Sequence, residues 1–145
     1  MVRRLGVVAV SAVLALSGCS EVQAGTGTDL HGTVFVTDAS IRAIGDPCSG
    51  RRPYLDVRPG AALAVTDGNG RVLAEGALGE GEALNAHPAL DHLARTLTHC
   101  ALRFTIEDVA AADRYVLEFG DGHVRELTGP DPSLGHWAVD VVVPE

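Results

Sequence analysis

The chain contains no lysine; all 11 of its strongly basic side chains are arginines. A catalytic lysine and a lysine Schiff base are therefore excluded. It has no CxxC pair, which removes a common local sign of thiol redox chemistry or of a zinc site. It has no GxSxG elbow either, so Ser133 in Pro-Ser-Leu-Gly lacks the setting of an activated nucleophile. Long hydrophobic runs are missing. The apolar stretch Leu5 to Leu16 would cover roughly 18 Å as a helix, against a bilayer core of roughly 30 Å. Positive charge is scarce, since 11 Arg against 19 Asp and Glu leave a formal charge of -8. Such a chain repels polyanions, which argues against a nucleic-acid partner.

What is present begins with a leader. Arg3 and Arg4 precede the apolar stretch and Leu16-Ser17-Gly18-Cys19 follows it, the arrangement of an export signal ending in a bacterial lipobox. We expect cleavage between Gly18 and Cys19, diacylglycerol on the Cys19 thiol, and attachment to the extracytoplasmic face of the cell membrane. Two acyl chains hold a protein there, where one does so only marginally. Residues 1–18 are then a cleaved signal peptide, 19–29 a flexible lipidated tether and 30–145 one domain. Losing Arg3 and Arg4 with no acid moves the formal charge from -8 to -10.

With Cys19 assigned to lipid, Cys48 and Cys100 remain as a pair in an oxidising compartment, and a disulfide between them is expected. Closing a loop of about 50 residues stabilises the fold by about 4 kcal/mol in the chain-entropy account.

Within the domain, hydrophobic alternation recurs. Leu30, Gly32, Val34 and Val36 share one strand face, and Cys100, Leu102, Phe104 and Ile106 another; Tyr115, Leu117 and Phe119 and then Trp137, Val139, Val141 and Val143 repeat the pattern. Arms at 61–66 and 71–78 flank Asp67-Gly68-Asn69-Gly70 and read as a hairpin. Ile41 and Ile44 fit a short helical turn, Tyr54 to Val57 a short strand, and Gly79 to Leu84 a loop. Pro88 followed by Leu90, Leu93, Ala94 and Leu97 fits one short amphipathic helix near residues 88–98. The expected fold is mainly β: an antiparallel sandwich, immunoglobulin-like or transthyretin-like, of about seven strands. Tyr115, after the Ala-Ala-Asp corner, has the setting of a corner-tying tyrosine. Trp137 lies after both cysteines, which argues against a true immunoglobulin domain.

The spacing Cys48-x-Gly50, Tyr54-x-Asp56, Gly60, Val65-x-Asp67-x-x-Gly70, Cys100-x-Leu102-x-Phe104 and Asp113-x-Tyr115 resembles small exported lipoproteins of high-GC Gram-positive bacteria. That resemblance implies export, a lipid anchor and a disulfide-linked sandwich, and implies no particular activity. A looser resemblance to transthyretin-like and collagen-adhesin repeat sandwiches rests on the hairpin.

No catalytic constellation emerges and no cofactor is expected. Among six histidines, His87, His92 and His99 are the metal candidates; on a helix the last two would lie about 10.5 Å apart, too far for one ion. His31, His123 and His136 fall on polar strand faces by parity. The leading reading is a non-enzymatic lipoprotein that binds a protein or a cell-envelope component, with Arg51, Arg52 and Tyr54 as its candidate contact patch. A small-ligand or metal-binding lipoprotein requires a pocket between the 88–98 helix and the sheet. A cell-envelope hydrolase requires a cleft with convergent polar groups.

Overall fold

A computed structural model describes residues 27–87, 89, 92–131 and 137–143. The expectations for Gly18, Cys19 and His136 concern residues outside these. Nine strands form in chain order: β1 (Thr28–Arg42), β2 (Pro47–Cys48), β3 (Ala62–Thr66), β4 (Val72–Ala77), β5 (Gly81–Asn85), β6 (Thr96–Val109), β7 (Tyr115–Phe119), β8 (His123–Leu127) and β9 (Trp137–Val143). They make a five-stranded sheet, β2-β5-β6-β1-β9, and a four-stranded sheet, β4-β3-β7-β8. The two share one core, in which Val34, Leu102 and Ile106 of the first sheet meet Leu63, Val65 and Leu117 of the second. The fold is thus mainly β and sandwich-like, with more strands than the periodicity had marked. The pairing is antiparallel except between β1 and β9, which run parallel.

The sheets close on each other along both sides. On one, the Gly79 amide donates to the Arg103 carbonyl at 2.8 Å, where β4 leans on β6 beyond the reach of β5. On the other, Trp137 Nε1 donates to the Thr128 carbonyl at 2.8 Å and packs edge-on against Tyr115 at 4.7 Å. Tyr115 ties its corner as its position foretold: its hydroxyl accepts from the Ala112 amide at 2.9 Å. The 61–78 hairpin also forms. Asp67 Oδ1 accepts from the amides of Asn69 and Arg71, and Gly70 takes φ 80°.

Several expectations fail. The helix near 88–98 is contradicted at its end, because Thr96 to Thr98 begin β6, and no helix crosses His92 to Arg95. Pro88, Leu90 and Asp91 lie outside the described residues. The alternation of Cys100 to Ile106 in fact starts at Thr96: Thr96 and Thr98 are buried with it, while Leu93 and Leu97 of the supposed helical stripe are exposed. β-branched residues on a continuing period of two outweigh a helical period read from four positions. Gly79 to Leu84 is no simple loop, since β5 begins at Gly81. Any Cβ there would lie 2.1 Å from the Cys48 carbonyl oxygen, so this glycine permits close strand approach. Ile41 belongs to β1, not to a helical turn, and Tyr54 to Val57 is a run of turns.

Candidate functional site

The expected disulfide is present: Cys48 and Cys100 are joined with a Cα separation of 5.7 Å. It ties β2 across β5 to β6 and fixes the start of the segment 49–60. That segment is irregular yet closely held. The Gly50 amide donates to the Val57 carbonyl at 2.7 Å, Val57 is fully buried, and the Gly60 amide donates to the Leu78 carbonyl at 2.7 Å. Near its far end, Asp56 Oδ2 accepts from the Asp121 amide at 2.9 Å and lies 2.9 Å from His123 Nε2. A surface loop held at so many points is preorganised, the condition for binding without a large ordering cost.

The Asp56 carboxyl is mostly enclosed. Burial alone pushes its pKa up, but hydrogen bonds from the Asp121 amide and its own backbone, with the charge and ring N–H of His123, hold it below the usual carboxylate range. His123 stacks on Phe119 at 5.2 Å and meets Tyr54 at 5.9 Å. Gly120 admits the carboxylate, since a Cβ there would lie 2.3 Å from Asp56 Oδ2. Parity placed His123 on a solvated face; it is instead half-buried and partnered, because the 49–60 loop folds over the outer end of β8. Among the described residues, no hydroxyl or thiol hydrogen-bonds to His123. A shallow groove of about 580 Å3 beside it is lined by Leu55, Arg58, Gly60 and Asp121.

The candidate contact patch divides. Tyr54 turns inward to His123 and the core. Arg51 turns the other way, where its Nη1 donates to Ser40 Oγ at 2.8 Å, and Arg52 is exposed beside it. Two arginines that the sequence reading did not single out join them: Arg95 Nη2 donates to the Ile41 carbonyl at 3.2 Å, and Arg42 Nη1 to Thr98 Oγ1 at 3.1 Å. A bulge makes this possible. Between Val36 and Ser40, β1 spends four residues where β6 spends two, with Ala39 at φ 51°. Arg51 and Arg95 are oriented by neutral oxygens, and no carboxylate among the described side chains pairs with either. Their charge stays available to an anionic group.

The histidine candidates do not converge. His87 and His92 are exposed on the connection from β5 to β6, while His99 sits on β6 opposite Leu84, with its Nδ1 enclosed and unpartnered among the described residues. No group of three or more potential metal ligands occurs among the described residues. No described helix is long and apolar enough to cross a membrane. No protein-family model matches the chain, and neither a curated protein nor a solved structure matches it.

Proposed function

We propose that the protein is an exported, lipid-anchored, non-enzymatic binding protein that holds a protein or cell-envelope component at the end of the sandwich formed by the 49–60 loop, Ser40 to Arg42 and Arg95. The anchor rests on the leader and on Leu16-Ser17-Gly18-Cys19. The binding reading rests on one observation: a loop fixed by the Cys48–Cys100 disulfide and the Asp56–His123 contact presents Arg51 and Arg52, while Arg95 arrives from another segment at the same strand end. Rigid guanidinium groups on a preorganised loop are a recognition surface. β1 runs 15 residues from Thr28 to Arg42, roughly 45 Å in extended chain, so this surface lies at the opposite end of β1 from Thr28, where the proposed tether would join.

Two measurements test this. Intact-mass analysis of the exported chain should find Cys19 as its first residue with diacylglycerol attached; another mature N-terminus overturns the anchor. Capture from membranes by the full chain should recover a component that is lost with an Arg51→Gln, Arg52→Gln, Arg95→Gln variant of unchanged melting temperature. Equal recovery by both proteins overturns the assignment of the surface. The groove beside Asp56 supports a second reading, a small polar ligand held near Arg58 and Asp121.

A further inference from the structure

We propose that the partner of the arginine end is an acidic protein segment that also carries aliphatic side chains. This rests on the binding reading of the same surface and adds the chemistry of what is bound. The acceptors that orient Arg51 and Arg95 belong to adjacent residues, Ser40 and Ile41, so two hydrogen bonds, the Ser40 side chain and one residue of backbone separate the bonded guanidinium nitrogens, about 15 Å at most. Same-face side chains of an extended segment repeat about every 7 Å, so carboxylates on one such segment can reach both cations. Each guanidinium commits one described hydrogen bond to a neutral oxygen and keeps further donors in a fork that matches a carboxylate.

The aliphatic part of the surface decides between classes of partner. Ile41 is 62% exposed and Leu97 42%; they are cross-strand neighbours in register on β1 and β6, beside Arg95, which holds the Ile41 carbonyl, and on the sheet face opposite the buried Ser40 and Thr98. Leu55, 55% exposed, lines the same depression of the 49–60 loop as Arg51 and Arg52. A phosphate polymer would pair with the arginines and leave these side chains in water. Arginine beside exposed aliphatics is the composition of a protein interface, where apolar burial and charge complementarity act together. At the opposite end of the sandwich the exposed charges are mainly acidic, with Asp29, Glu107, Asp108 and Asp113 around the Thr28↔Val109 pairing. That polarity suits the arginine end to an acidic partner, and a head-to-tail contact between copies would grow without closing.

The test selects short random peptides displayed on phage against the full lipidated chain in detergent micelles. Parallel selections use Arg51→Gln/Arg95→Gln, Ile41→Ser/Leu97→Ser and micelles without protein. The proposal expects enrichment of peptides combining Asp or Glu with Leu or Ile. A synthetic representative should lose about tenfold in affinity for each double variant and weaken as salt is raised, with the variants melting close to wild type. Enriched peptides without acidic residues that are still lost with either double variant leave the binding surface standing and overturn this proposal. No enrichment over empty micelles overturns the binding reading and this proposal with it. Inorganic polyphosphate or anionic vesicles binding as tightly as the peptide, with no loss in Ile41→Ser/Leu97→Ser, assign the site to phosphate polyanions and overturn it. Self-association in sedimentation that disappears in Arg51→Gln/Arg95→Gln makes a second copy the occupant and overturns it too.

Discussion

At Asp56, the cost of enclosing a carboxylate is set against donors that favour its charged form, and the donors win, since its pKa lies below the ordinary 3.8. A carboxyl depressed on folding contributes stability that is present above its unfolded pKa and lost as pH falls through the folded one. The chain should therefore lose stability below about pH 4, and Asp56→Asn should flatten that loss while costing about 1.5–3 kcal/mol at neutral pH. Urea denaturation of both proteins across that range checks it; parallel acid profiles would show that Asp56 carries no such linkage. Ala39 presents the opposite case, a non-glycine residue at φ 51°. The left-handed conformation costs alanine about 1–2 kcal/mol, and glycine costs about 0.5–1 kcal/mol more in chain entropy, so Ala39→Gly should stabilise the protein by about 0.5 kcal/mol. A denaturant midpoint that falls would contradict this. Some single residues were legible in sequence: Asp67 and Tyr115 sit in local patterns whose hydrogen bonds stay within a few residues. The Asp56–His123 contact was not, because its partners lie in distant segments and nothing local marks either of them.

Among the elements, β6 separates what the chain shows locally from what it hides. Cys100 to Ile106 alternates cleanly and was read as strand, but Leu90, Leu93, Ala94 and Leu97 happen to fit a helical period just before it. Tertiary pairing settles the overlap, since Thr96 to Thr98 pair with Ser40 to Arg42 across the bulge. β5 was hidden by composition: glycine and glutamate suggest a loop, yet Gly81 is needed where β2 and β5 pass the disulfide. Because Cys48–Cys100 closes a sequence separation of 52, Cys48→Ala/Cys100→Ala should lower stability by about 4 kcal/mol. Native-state amide exchange should find 49–60 loosened more than β7, since the loop loses an attachment that β7 never had. Uniform loss of protection would mean that the disulfide stabilises the chain without positioning the loop.

For the molecule as a whole, charge is distributed by end. Arg42, Arg51, Arg52 and Arg95 gather where β1 finishes, while Asp29, Glu107, Asp108 and Asp113 gather where it starts. Sequence reading found the mainly β class, the disulfide and two of the four arginines. It could not find their meeting with Arg42 and Arg95, which depends on the β1 bulge and on the register of β6. The most direct measurement places a photocrosslinking amino acid in the full chain, in its own cell, either at Arg52 or at Val124 on the outer face of the other sheet. The account predicts a distinct adduct from position 52 that is absent from 124 and lost when Arg51 and Arg95 are changed to Gln. The same adducts from both positions, unaffected by those changes, would contradict it.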